Sequence, residues 1–253
     1  MDNDTAIGGP HKGFPATRLT LVEAAASQDP EVRERALESL VGVYWKAVYK
    51  HIRLKWRLAN EDAKDLTQGF FAQVLEKGWL RAFDPRRARF RTYLRTCLDA
   101  FVKNEWKAAR RLKRGGGRET LSLDFDGAEG ELARLDDGTD VEEAFHKEWV
   151  RSLFGLAVAA LQRDLAARGK ETAFVLFERY DLEGSDPGVR LTYADLAGEF
   201  NMSVSQVTNQ LAFARGEFRR RVLESLRQVT GSEEEFRSEA ADLFGPAVGF
   251  GAE

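Results

Sequence analysis

Cysteine and histidine are nearly absent from this 253-residue chain: one cysteine, Cys97, and three histidines, His11, His51 and His146. That inventory cannot build a cysteine-rich zinc site or a disulfide framework, and it excludes most histidine-based metal centres. One unpaired thiol suits a reducing compartment. Long apolar runs are missing as well. The best of them, Leu153 to Leu161, is far shorter than the ~20 residues needed to span a bilayer. The first residues lack the apolar core of a signal peptide, so a cytoplasmic protein without a membrane partner is expected. Strand signals are scarce, since no run alternates valine, isoleucine or threonine between turns. Phosphate-cradling glycine loops are also lacking: Gly115-Gly116-Gly117 has neither the following lysine nor the strand context. His51 and His146 fall in separate helical segments with no nucleophile motif beside them. Neither an enzyme, a cofactor nor a metal is expected.

What is present is charge, unevenly placed. The 38 basic and 41 acidic residues nearly cancel, so net charge alone names no partner. From Arg81 to Arg118, however, thirteen basic residues face three acidic ones, and from Glu119 to Glu143 ten acidic residues face one basic one. A strongly basic block is followed at once by a strongly acidic one. The six prolines leave the helical-period segments uninterrupted, and Pro30, Pro85 and Pro187 each follow an aspartate, a helix-entry or turn chemistry.

Apolar periodicity predicts helices near 20–27, 31–57, 61–79, 88–114, 142–168, 171–182, 192–199 and 203–228, with a weaker signal at 232–244. The fold class is therefore all-α. Two helical domains are expected, at 20–114 and 142–228, joined by a flexible acidic linker at 115–141 and flanked by a flexible arm at 1–19 and a solvated acidic tail at 229–253.

In the first domain, Ala63, Leu66, Phe70, Phe71 and Val74 share one face of helix 61–79, while Glu61, Asp62, Asp65 and Glu76 share the opposite one. Phe90, Tyr93, Leu94, Cys97, Leu98 and Phe101 repeat at three and four residues, a core stripe in which Cys97 reads as a structural thiol rather than a nucleophile. Beyond Phe101 the polar face carries Lys103, Lys107, Arg110 and Arg111 with Trp106 among them. A charge run is usually a solvated face, but this one-signed density points to a polyanion. In the second domain, Leu191 to Leu211 has helix-turn-helix grammar, with Ser203 able to cap the second helix. Val207, Leu211, Ala214, Phe218 and Val222 make its core stripe. Ser205, Gln206, Thr208 and Asn209 then face outward, small or amide side chains suited to base edges in a major groove. Arg215 and Arg219 follow, placed to meet phosphates.

These segments together resemble the extracytoplasmic-function group of bacterial RNA polymerase sigma factors, over about residues 18–228. Asp62-Ala63-Lys64-Asp65-Leu66-Thr67-Gln68 with Phe70-Phe71 is similar to the acidic motif of sigma region two. Phe90-Arg91-Thr92-Tyr93-Leu94, leading into the basic helix that ends Arg110-Arg111, is similar to the segment that follows it. Thr192 to Ala197 with Ser203 to Arg215 resembles the region-four helix-turn-helix. The chain departs from the motifs at Lys64, where glutamate is usual, at Tyr93, where tryptophan is common, and at Ala100, where many members carry asparagine.

The resemblance implies roles by position. Glu61, Asp62, Asp65 and Glu76 would dock on the clamp helices of the largest subunit of core RNA polymerase. The loop with Arg86, Arg87 and Arg89, together with Lys103, Trp106, Lys107, Arg110 and Arg111, would engage and open the −10 element of promoter DNA. Ser205, Gln206, Thr208, Asn209, Arg215 and Arg219 would read the −35 element. An anti-sigma factor or a regulatory kinase would be a further partner. The main competing expectation is a dimeric helix-turn-helix repressor or activator that does not bind polymerase, which explains the second domain but not the acidic helix face paired with the basic block. An RNA-binding protein fits the charge but lacks the sheet aromatics of the common modules.

Overall fold

The computed structural model describes residues 24–25, 27–76, 79–109, 123–133, 139–183 and 191–245, with the side chains of residues 75, 76, 81, 108 and 109 outside that set. Among the described residues there are nine α-helices and no strand: α1 (Pro30–Trp56), α2 (Asn60–Glu76), α3 (Phe90–Ala109), α4 (Phe125–Leu132), α5 (Val141–Ala167), α6 (Glu171–Phe177), α7 (Tyr193–Glu199), α8 (Val204–Gln228) and α9 (Glu233–Phe244). None is long and apolar enough to cross a membrane.

Local chemistry sets the boundaries. Asp29 accepts the Glu31 N–H and Pro30 opens α1, an acidic cap followed by a proline at the one position where its missing donor costs nothing. That helix ends where Arg57 turns left-handed, at φ 50°. Helices α7 and α8 each begin with a reciprocal capping box, Thr192 with Asp195 and Ser203 with Gln206. Asn201, at φ 51°, makes the tight turn between them.

Two hydrophobic cores result, and they do not divide the chain at residue 141. The first gathers Leu40, Tyr44, Ala47 and Val48 of α1, Phe70 and Phe71 of α2, and Phe90 and Leu94 of α3 against Phe145, Trp149 and Leu153 of α5. Val222 and Leu226 from the far end of α8 complete it. Tyr44 lies edge-on to Phe90 at 5.9 Å between ring centroids and tilted against Trp149 at 6.4 Å. Cutting one of these large side chains back to alanine costs about 2–5 kcal/mol. The second core holds Leu161 and Leu165 of α5, Phe174 and Phe177 of α6, Leu196 of α7, and Val207, Leu211 and Ala214 of α8. Helices α5 and α8 thus run through both cores, and Phe218 packs against each. Periodicity tells which face of a helix is apolar but not which neighbour covers it, and the expected domain boundary assigned both helices wholly to one side.

Two segments expected to be solvated are packed. Within 115–141, the acidic stretch forms α4, whose Phe125 meets Tyr49 edge-on at 5.0 Å. Glu129 accepts from Arg53 Nε at 2.6 Å and Nη2 at 2.9 Å. Glu131 and the buried Glu148 each lie 2.5 Å from the buried Lys50 ammonium. Opposite charge on α1 therefore holds a segment whose composition alone reads as a linker. Beyond residue 229, α9 docks on the first core through Phe236 and Ala240, and its Glu235 and Glu239 are buried. That corrects the expectation of a solvated tail.

Candidate nucleic-acid interface

On α2 the expected division of faces is observed. Ala63, Thr67, Phe70, Phe71 and Val74 are buried, and the Thr67 hydroxyl donates to the Ala63 carbonyl at 2.8 Å. Glu61, Asp62 and Asp65 are exposed. Lys64 sits at the border of the two faces and donates to Glu61 at 3.0 Å, leaving Asp62 and Asp65 with no ion pair among the described residues. Glu76 closes the helix, and its side chain lies outside the described residues.

The basic side divides into two patches. Arg86 and Arg87 are exposed on the turn after Asp84, which accepts from the Arg86 backbone at 3.1 Å and from its Nε at 3.0 Å. That guanidinium holds the Asp84 carboxyl below its ordinary range. Lys103, Trp106 and Lys107 are exposed near the end of α3, about 20–27 Å along the helix from Arg89 at 1.5 Å per residue. Trp106 is held edge-on by Trp56 at 5.4 Å, so its indole is fixed in place while 42% of it stays exposed. A rigid exposed ring between two lysines suits stacking on an unpaired base. Arg110 and Arg111 lie outside the described residues. The core residues of α3 fall as expected: Phe90 is buried, Tyr93 donates its hydroxyl to the Trp79 carbonyl at 2.7 Å, and burial pushes the half-buried Cys97 thiol up.

Arg89 is placed differently from Arg86 and Arg87. Its Nη1 lies 2.8 Å from Asp242 and 3.2 Å from Glu239, and its Nη2 donates to Ser238 at 2.8 Å. Arg91, which sequence reasoning did not single out, donates to Glu239 at 2.6 Å. Nothing local signals these contacts, because the acceptors arrive about 150 residues later in the chain. The neighbouring groove, lined by Arg91, Arg95, Glu142, Glu143 and His146 among others, carries both signs of charge.

At the α7–α8 corner, Ser205, Thr208 and Asn209 are exposed on the first turns of α8. Gln206 is exposed too, but its amide oxygen accepts the Ser203 N–H at 2.8 Å as half of the capping box. Arg215 does not point into the same space: it grips Asp181 and the Tyr193 hydroxyl. Arg219 lies over the Phe244 ring of α9, 5.4 Å from its centroid. The first turns of α8 thus present small and amide side chains, with Lys170 beside Asn209 in a shared groove and Asp195 and Glu199 exposed on α7, while Arg215 is held by Asp181 and Arg219 lies against Phe244.

Among the described residues no cluster of histidine, cysteine, aspartate and glutamate could hold a metal ion. No protein-family model matches the chain, and neither a curated protein nor a solved structure shows significant similarity to it.

Proposed function

We propose that this protein is a sigma-type initiation factor that binds core RNA polymerase and directs it to a limited set of promoters. The observation that carries this reading is the pairing, on adjacent helices of one core, of the free acidic face of α2 with the basic, aromatic face of α3. Asp62 and Asp65 offer carboxylates to a basic partner surface. Arg86, Arg87, Lys103 and Lys107 offer charge to a phosphate backbone, and Trp106 a ring to an extruded base. Neither step needs a catalytic side chain. The exposed set on α8 supplies the remaining requirement, direct reading of an upstream duplex.

Run-off transcription with purified core polymerase on a pool of genomic fragments tests the proposal. Initiation from a discrete subset of fragments is the expected result. A folded protein that supports no initiation and does not co-migrate with core polymerase overturns it. A protein that instead migrates as a dimer and binds duplex DNA without polymerase would be a helix-turn-helix regulator.

A further inference from the structure

The proposed function makes no use of α9, yet α9 occupies part of the surface that function needs. Ser232 caps the helix by accepting the Glu235 N–H at 3.1 Å. Glu235 then reaches back with both oxygens, one accepting the Phe90 N–H at 2.5 Å and the other the Gly231 N–H at 2.9 Å. One turn on, Glu239 is 1% exposed and takes Arg89 and Arg91 together, and Asp242 takes Arg89 from the rim. Three carboxylates therefore satisfy two guanidiniums and a backbone donor at the start of α3. These are the contacts that phosphodiester oxygens would otherwise make.

The docking is opposed from within. Burial raises Glu235 and Glu239 above the ordinary glutamate range, so both carboxylates are held out of water at a cost. The apolar contacts that offset this are few: Phe236, Ala240 and the half-buried Leu243 and Phe244. The connection is tight at one point. A Cβ on Gly231 would collide with the edge of the Phe83 ring at Cε1, so a larger residue at 231 forces the turn away from the loop that carries Arg86 to Arg89.

We infer that α9 is an intramolecular competitor for nucleic acid: its acidic face holds Arg89 and Arg91 in place of backbone phosphates, and strand binding requires it to lift. This rests on the reading that the 83–89 loop and the start of α3 face DNA. A polyanion that releases condensed counterions has the driving force to displace a helix whose own carboxylates are poorly solvated.

The test needs no polymerase, so its outcome is separable from that of run-off transcription. Binding of a fluorescent single-stranded oligonucleotide of mixed sequence is measured by anisotropy over a range of salt, alongside hydrogen exchange in 232–245. The variants are Glu239→Gln with Asp242→Asn, and separately Gly231→Ala, which leaves every charge in place. Expected are faster exchange in 232–245, binding tighter by at least about fivefold, and a log–log salt slope steeper by about 1.4, roughly 0.7 for each released arginine on a single strand. Adding Arg89→Ala and Arg91→Ala should abolish the gain. Glu34→Gln with Glu38→Gln makes the same charge change at exposed positions on α1, outside α9, and an equal gain there overturns the inference. So does a variant with released α9 and unchanged affinity. Unchanged exchange and affinity in both variants would make α9 a fixed part of the core and overturn it equally.

Discussion

Arg215 chelates Asp181: its Nε lies 2.9 Å from one carboxylate oxygen, its Nη2 2.8 Å from the other, and its Nη1 donates to the Tyr193 hydroxyl at 3.0 Å. The guanidinium thereby ties α8 to α7 and to the π-helical turn Glu178–Leu182 that follows α6. Arg215→Ala should lower stability by about 1–2 kcal/mol, the value of a bidentate pair that is partly solvated. Lysine cannot reproduce the planar fork, so Arg215→Lys should recover little of it. Thermal melting reads the loss. A variant that melts like the parent but shows a shallower salt dependence of DNA binding would return Arg215 to phosphate contact.

Gln206 and Asn209 are neighbours on α8 with different duties. Because Gln206 closes a capping box, Gln206→Ala should cost about 1 kcal/mol of stability as well as altering upstream-element preference. Asn209 makes no such contact, so Asn209→Ala should leave the melting temperature unchanged. It should shift discrimination at one upstream base pair by about 1–3 kcal/mol. Binding measured on a panel of single-base variants of the site separates the two, and equal loss on every sequence refutes base reading.

Reversing the acidic face of α2 should spare the fold and abolish docking. Asp62 and Asp65 are exposed and pair with nothing described, so Asp62→Lys with Asp65→Lys should keep the helical circular dichroism and melting temperature. Against a basic partner surface the same change replaces attraction with repulsion, several kcal/mol in all. Loss of co-migration with core polymerase at physiological salt is expected, and retained affinity would remove the docking assignment.

Acid should release α4 before the cores melt. Arg53 holds the Glu129 carboxyl below the ordinary glutamate value of 4.5. Its contribution is complete above that value in the unfolded chain and is lost as pH falls through the lower folded value. Burial shifts Glu235 and Glu239 the other way, so their contributions are lost as pH rises and a global melt mixes both signs. Proteolysis or hydrogen exchange confined to 123–133 isolates the effect: protection should fall below about pH 4.5, and Glu129→Gln should show the low-pH behaviour already at pH 7. A pH-independent segment would show that Phe125 alone anchors it.

Most of the helices were legible because their apolar faces are local patterns. The stripe Ala63, Phe70, Phe71 and Val74 is buried as its spacing dictates, and the Ser203 cap of α8 stands where the sequence puts it. What escaped is held by partners distant in sequence. Asp124 to Glu131 contains two glycines and four carboxylates, and Lys46, Lys50 and Arg53, about 80 residues earlier, join the Phe125 contacts in making a packed helix of it. The burial of Glu235 and Glu239 has the same origin, since a run of glutamates reads as solvated until arginines on another helix meet it. Candidate residues were legible by type and face. Whether each was available or engaged was not, as Arg89, Arg215 and Arg219 illustrate.

The passage of α5 and α8 through both cores makes the molecule a gauge. From Val207 in one core to Leu226 in the other, α8 advances about 28 Å at 1.5 Å per residue without a break. Between its exposed first turns and the start of α3 the path runs through packed helix, with Phe218 partly buried against both cores. A partner that met both ends would have to present its features at the separation this helix sets, since α8 has no loop between the two cores to take up a mismatch.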